Sequence, residues 1–541
     1  MATVADERFS RLKVLLIDDM ATMRTTLRQQ LQQIDVNTVD QASSANEALR
    51  FLKKGRYDLI LCDYYLGNNT DGQQFLELIK EAGLLPPATI FFMVTAESSY
   101  NFVSTAGECL PDDYLIKPFT ATNLRARLER LFDRKGEMTA VNARLAARDL
   151  PGVISECDKL IEQRSKVSVD ALRAKGQALL DLGRYDDAKR IYLQVLEIRS
   201  GLPWAQLGVA RALKGVGNLS EAKEHANLLI AETPQFVAAY DLLVSILEEQ
   251  GNDAEALQTI KKSEEVVPSV RRARMVGEAC YRSGDLAAAE SAFSKVVERT
   301  KFSLTSSDGD HSALAQVFVD RNEPAKALKV LNDAKGAFAN NRNFEATAAA
   351  IEVQAHVRGG DTKAAEAALE KARELAKHAP SEKMSLALSK ACFMTGHAEE
   401  AEAVLSQAMR ADHEDKRLLA LARKVLVDTG NESLAAEIVD RQADAVMAMT
   451  KDAMALARKA QFAEAIALIE PALLLTPNNT GVLLAAAQVH LLFLAQEGLN
   501  AEYVARTREY LGKLEQLAPG NERVAKMQGF FRDTLAKSRK A

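Results

Sequence analysis

Between Gly183 and Ala465 one signal recurs, a turn residue followed five positions later by an alanine. Gly183 with Ala188, Gly217 with Ala222, Gly251 with Ala256 and Gly284 with Ala289 open the series. Gly360 with Ala365, Gly396 with Ala401 and Gly430 with Ala435 continue it, while Asn322 with Ala327 and Ala460 with Ala465 keep the spacing without glycine. The alanines recur at an interval of about 34 residues, stretched on either side of Ala327 and shortened before Ala465. A period of this size accommodates a pair of helices with short turns, a unit too small to bury its apolar face alone, so it must stack on copies of itself. Glycine suits a tight left-handed turn, and alanine suits the point where the second helix crosses the first too closely for a larger side chain. Pro234, Pro268 and Pro477 follow Ala222, Ala256 and Ala465 at one constant spacing, where proline ends the second helix.

Composition agrees with stacked helices. The 541 residues exceed a single core, only 6% are aromatic, and the second half is crowded with Ala, Leu, Glu and Lys. A net charge of -5 argues against direct binding of nucleic acid or anionic lipid, which needs a basic face. Cys62, Cys109, Cys157, Cys280 and Cys392 are scattered, without paired or metal-type spacing, and read as buried small residues of a reducing compartment. Met1 to Ser10 has no apolar run, and the most apolar stretch, Val482 to Ala495, is too short for a bilayer. The expectation is a cytoplasmic protein with no membrane span.

The segment 1–135 follows a different pattern, short apolar runs alternating with stretches of helical spacing. The spacing predicts strands at Val14 to Ile17, Thr38 to Ala42, Leu59 to Cys62, Thr89 to Val94 and Asp113 to Ile116. Helices are predicted at Ala21 to Gln33, Ala45 to Lys54, Gln73 to Ala82, Ser99 to Gly107 and Ala121 to Phe132, the second opened by a Ser44/Glu47 capping box. Five such units predict a doubly wound α/β sheet with its site at the carboxyl ends of the strands. There lie Asp18 and Asp19, Asp63, Thr95, and Lys117 before Pro118. Three crowded carboxylates repel one another unless a hard divalent cation sits among them. A neighbouring hydroxyl and ammonium could then bind phosphoryl oxygens, leaving Asp63 placed as an in-line nucleophile.

This constellation, over residues 12 to about 134, resembles the response-regulator receiver domain, a flavodoxin-like fold. The resemblance implies that Asp63 accepts a phosphoryl group and that Asp18, Asp19, Asp63 and the backbone carbonyl of Tyr65 hold Mg2+. It also implies that Thr95 and Lys117 contact the phosphoryl group, that Tyr114 is the aromatic switch residue and that the Lys117–Pro118 bond is cis. One departure stands out: Gly67 replaces the usual proline after the acceptor, and the loop to Asp71-Gly72 is one residue longer.

The repeats resemble the tetratricopeptide type, including first-helix glycines at Gly176 and Gly277; Trp204 sits early, which implies a longer first helix in its repeat. The expected organisation is a receiver at 1–135, tetratricopeptide-like repeats at 136–521 beginning with a degenerate repeat at 138–164, and a capping helix at 522–541. Arg211, Arg274, Gln354 and Trp204 are first-helix candidates for contact with a ligand. No Walker loop, HExxH, nucleophile motif or DNA-reading helix is present, so an enzyme beyond the receiver's own phosphorylation and dephosphorylation is not expected. The leading function is a phosphorelay response regulator, fed by a sensor histidine kinase, whose phosphorylation regulates protein binding by the repeats. The alternative is a phosphate sink or kinase-docking modulator of a shared histidine kinase. A homodimer is compatible with either.

Overall fold

The computed structural model describes residues 7–67, 71–96, 111–301, 306–378, 381–411, 416–435, 438, 441–477, 479–517 and 522–538. It packs as two compact units, one of residues 1–276 with 295–306, the other of residues 277–294 with 307–541.

The first unit opens with a parallel sheet of β1 (Lys13–Ile17), β2 (Thr38–Ala42), β3 (Leu59–Asp63), β4 (Ile90–Thr95) and β5 (Asp113–Ile116), in the order β2-β1-β3-β4-β5. Every residue of β3 and β4 is buried, as expected of central strands covered on both faces. Alternation sorts the side chains: Val14, Leu16, Leu59, Leu61 and Phe92 pack with Leu124 and Leu128 on one face. Leu15, Ile17, Ile60, Cys62 and Met93 pack with Phe75 and Leu49 on the other. The expected strands agree to within a residue at each end; the helix expected at Ser99 to Gly107, like Cys109, lies outside the described residues. The other four cysteines are free and buried.

Two local expectations need correction. Ser44 does cap its helix, accepting from the Glu47 amide at 3.3 Å, but Glu47 turns back to the Ser43 amide and hydroxyl, 2.8 Å each, so no reciprocal box forms there. The reciprocal box forms at Asp71 and Gln74, opening the helix Gly72–Glu81. The last helix of the domain also runs to Glu137 rather than Phe132. Its extra turn is tied down: Lys135 donates to the Pro87 and Thr89 carbonyls at 2.8 Å, and Arg134 forms a bidentate pair with Asp170 in the helix Ser168–Asp181. The boundary expected at 135/136 thus falls inside a helix.

From Thr139 onward the described elements are helices, beginning with the pair Thr139–Ala146 and Leu150–Glu162 packed around Val141, Val153 and Cys157. All seven repeat-turn glycines adopt positive φ, and Asn322 and Ala460 do the same at 61° and 60°. Eight of the nine periodic alanines are at most 3% exposed. The ninth, Ala435, is half-buried and follows only a 3-10 turn, Glu432–Leu434. The interval from Ala435 to Ala465 is the shortest of the series, and the next helix described is the 18-residue Arg441–Arg458. Added Cβ atoms at Gly176 and Gly277 would lie 2.8 Å from the Tyr192 ring and 2.9 Å from the Phe293 ring, so glycine is required by close approach. Trp204's helix, Pro203–Gly215, is no longer than its neighbours; the indole instead packs edge-on to Tyr192 and under Arg173. The apolar stretch near Val482 is a buried 17-residue helix, Thr480–Gln496, and no described helix is long and apolar enough to cross a membrane. The expected final helix spans Glu522–Ser538 and buries Val524 and Phe531 against the Tyr510–Leu514 face.

Inside the second unit Lys390, 2% exposed, places its ammonium 2.7 Å from Asp320 and 2.5 Å from Asp428. Tyr281 donates to Asp320 at 2.7 Å, and Lys424 lies 3.1 Å from Asp428, so two cations face two carboxylates. Removing one member strands buried charge, so Lys390→Met should destabilise this unit by about 3–5 kcal/mol in urea unfolding.

His490 is fully buried between Tyr503 and Tyr510. Its Nδ1 lies 2.8 Å from the Ala486 carbonyl and therefore donates, while Nε2 has no partner. Burial, reinforced by the Arg506 charge and opposed by the Ala486 bond, Glu470 and Glu502, lowers its pKa from the ordinary 6.5. The unfolded chain then binds more protons than the fold, so this stability is present above about pH 6.5 and is lost as pH falls toward the lowered value. Unfolding free energy measured from about pH 7 to 5 should fall more steeply in the wild type than in His490→Phe.

Candidate functional site

The topology brings β1, β3, β4 and β5 side by side, so the residues at their carboxyl ends converge. Asp18 is fully buried, Asp63 is 8% exposed, Thr95 is buried, and Asp19 is exposed. One carboxylate oxygen from each aspartate lies within 4.8 Å of the others. Lys117 places Nζ 3.1 Å from Asp18 Oδ2 and 3.1 Å from Asp63 Oδ1. The Lys117–Pro118 peptide is cis, and the Lys117 amide donates to the Thr95 carbonyl at 2.7 Å, joining the ends of β4 and β5.

Backbone donors orient the acids: the Met20 amide donates to Asp18 and the Tyr64 amide to Asp63, each at 2.9 Å. Burial raises the pKa of Asp63, opposed by Lys117 and reinforced by Asp18. Three carboxylates against one ammonium leave an excess of negative charge, and all the donor atoms are hard oxygens. That set fits Mg2+ or a similar divalent cation and not a soft metal.

Arg24 was not singled out by sequence reasoning. Its guanidinium donates to the Asp18 and Asp19 carbonyls at 2.7 and 3.0 Å, pinning the loop that presents both acids. A helix arginine shortly after an acidic pair carries no distinctive sequence signal. Gly67 has φ 65°, a value proline cannot adopt, which accounts for its replacing the usual proline. Tyr65, its side chain 56% exposed, pairs across the loop with Asp71, and the Gly72 amide donates to the Tyr64 carbonyl at 2.7 Å. Burial pushes the Asp71 carboxyl up to about 6. A Cβ on Gly72 would lie 2.4 Å from the Asp63 carbonyl oxygen and 2.7 Å from Met93 Sδ.

Tyr114 is half-buried against the core that contains Phe75 and Met93, and burial pushes its hydroxyl up to about 12. Arg127, from the helix Ala121–Glu137, donates to the Tyr114 carbonyl and to Asp113 at 3.0 Å each, clamping that helix to β5. Among the first-helix candidates, Gln354 is fully buried, donates to the Ala387 carbonyl at 2.9 Å and accepts from Gln316 at 2.8 Å. It holds helices together and is not available to a ligand. Arg211, Arg274 and Trp204 are half-buried.

Residues 14–129 match the response regulator receiver domain. Chemotaxis protein CheY-3 of Vibrio cholerae is 32% identical over 129 residues, 23% of this chain and 93% of that protein. The chain belongs to the response regulator receiver family. Chemotaxis protein CheY of Pseudomonas aeruginosa is 28% identical to the receiver over 123 residues, covering 23% of this chain and 98% of that protein. Residues 179–247 and 357–425, well beyond the receiver, match the tetratricopeptide repeat. Among solved structures, the C-terminal part of a tetratricopeptide repeat-containing protein from Cytophaga hutchinsonii is 14% identical, covering 46% of this chain and 98% of that one, with a TM-score of 0.33. The receiver domain makes this a phosphorelay protein with a tetratricopeptide region following the receiver.

The close approach at Gly72 yields a test of the receiver's site. Gly72→Ala should cost the receiver about 1–3 kcal/mol in thermal unfolding and displace the Asp63 backbone, seen as shifted amide resonances at Asp63 and Tyr64.

Proposed function

We propose that Asp63 takes a phosphoryl group from a sensor histidine kinase and that its phosphorylation regulates protein binding by the repeats. The observation that carries this reading is the Lys117 ammonium lying 3.1 Å from both Asp63 and Asp18 at the strand ends. In the proposed transfer, an Asp63 carboxylate oxygen attacks phosphorus, the bond to the kinase imidazole nitrogen breaks, and that nitrogen keeps the electron pair. Lys117 offsets charge on the phosphoryl oxygens, and the Thr95 hydroxyl, at the end of β4, binds one of them. Mg2+, held by Asp18, Asp19, Asp63 and the Tyr65 carbonyl, would neutralise further charge on the same oxygens. Burial raises the Asp63 pKa, and Lys117 and the Tyr64 amide oppose it by favouring the ionised, nucleophilic form.

A phosphoryl group adds roughly one to two negative charges. Movement of Thr95 toward it would open space for Tyr114 to turn inward, and Tyr114 adjoins the helix that Arg127 clamps. That helix runs unbroken to Glu137 and is bonded to Asp170 in the repeats, so the covalent and ionic path from β5 to the repeats is short. The protein partners of the repeats would be gained or released in the cytoplasm as Asp63 is phosphorylated and dephosphorylated.

Acetyl phosphate should label the wild type only with magnesium, and Asp63→Asn should abolish the label; persistent labelling would place the acceptor elsewhere. Beryllofluoride, a phosphoryl mimic, should change partner affinity by about 5- to 150-fold, equivalent to ~1–3 kcal/mol of coupling, and Tyr114→Ala should blunt the change. Unchanged affinity in the wild type would favour a receiver that only drains phosphate from a shared kinase.

A further inference from the structure

The helix Ala121–Glu137 is bonded on one side to the receiver sheet and on the other to the repeats. Toward the receiver, Arg127 and Arg130 meet Asp113 at the start of β5 at 3.0 and 2.9 Å, and Lys135 meets Asp112 at 3.0 Å. Toward the repeats, the Arg134 guanidinium holds Asp170 through two nitrogens, with Nε 2.7 Å from Oδ2, and the Glu137 carboxylate accepts from the Ser165 hydroxyl. Asp170 lies in the first turn of the helix Ser168–Asp181, and the Ser165 hydroxyl accepts from the Val167 amide at 3.2 Å just before that helix. Both repeat-side bonds therefore hold the entry of one helix.

Arg127, Arg130, Arg134 and Glu137 follow one another at three- and four-residue steps, which places them on one face. Along that face come first the bonds to β5 and then the bonds to the repeats. The helix is unbroken over its 17 residues, so a rotation or slide imposed at Arg127 reappears at Arg134, about 10 Å further on.

The Arg134–Asp170 pair is also suited to exchange. The hydrogen bond to Asp170, opposed by burial and reinforced by the charges of Asp112 and Asp113, raises the Arg134 pKa above its ordinary value. Carboxylates on both sides of the junction thus attract this one cation. Both partners are partly exposed, where an ion pair adds little to stability and is made and broken at small cost. We propose that the Arg134–Asp170 pair is the contact through which the receiver sets the position of the first repeat helices. The proposal rests on the reading that phosphorylation of Asp63 acts on the repeats, and it names the bond that carries the effect.

The test is hydrogen exchange of the full-length protein, read by mass spectrometry with and without beryllofluoride. In the wild type the mimic should alter exchange in β4 and β5 and should change amide exchange rates in Leu150–Glu162 and Ser168–Asp181 by about two- to fivefold, the range that one exposed ion pair can transmit. Arg134→Gln and Asp170→Asn should each keep the receiver's response and lose that of the two repeat helices, whereas Asp170→Glu, which keeps the charge, should retain both. A bond that only fastened the two parts together would raise exchange in these variants without the mimic and leave the mimic's effect in place. An equal effect of beryllofluoride on the repeat helices in the wild type and in Arg134→Gln would therefore overturn the proposal while leaving control by Asp63 standing. A wild-type response confined to the receiver would overturn both the proposal and that control, and no response anywhere would remove the reading of Asp63 as the acceptor as well.

Discussion

The charge balance around Lys117 is the constraint on which the receiver's architecture turns. Asp18 and Asp63 are both buried beside each other, an arrangement that would be strongly unfavourable with no cation nearby. One ammonium at 3.1 Å from each makes it tolerable, and that ammonium comes from a strand that is not adjacent to either of theirs by sequence. The order β2-β1-β3-β4-β5 with all strands parallel places the four ends on one side. The surrounding loops then serve this cluster. Arg24 holds the backbone of the acidic pair, Gly67 takes a left-handed conformation beside Asp19, and Gly72 lets the next helix begin in contact with the Asp63 carbonyl.

The repeat region solves a different physical problem, how to stack helices with few aromatic residues and still define one arrangement. Small residues at the crossing points allow close approach, with Ala188, Ala222 and Ala289 fully buried and Gly176 and Gly277 against aromatic rings. Alanine contacts alone are not very directional. In the second unit the charged set of Lys390, Asp320, Asp428 and Lys424 supplies direction, because its hydrogen bonds are met in one alignment of the helices. Lys390 also lines a cavity whose walls include Ile351, Leu386 and Leu421.

Much of this was legible beforehand. The two folds followed from periodicity: a strand pattern that places Val14 and Leu16 on one face and Leu15 and Ile17 on the other, and a turn signal that returned at a nearly constant interval. Asn322 and Ala460 show that the spacing was the stronger signal, since both adopt the left-handed turn although neither is glycine. Local chemistry was less reliable. Ser44 and Glu47 have the spacing of a capping box, yet the carboxylate finds two donors on Ser43 and goes there, a choice between near-equal partners that spacing cannot decide. Gln354 looked like an exposed polar residue of a first helix; neighbouring helices bury it and use both ends of its amide.

The sequence by itself determined the receiver fold, the helical repeats and the identity of the acidic, hydroxyl and ammonium groups at the strand ends. These depend on residue type and on regular spacing along the chain, which local geometry converts directly into shared faces and shared ends. Tertiary structure alone decided that the helix after β5 continues through Gly136, that Arg24 and Arg127 brace the site, and that Lys390 bridges Asp320 to Asp428. Arg24 reaches back only to the nearby Asp18 and Asp19 carbonyls, but the others rest on pairings between residues distant in sequence, and the partner of a long charged side chain is set by which elements the packing brings within its reach.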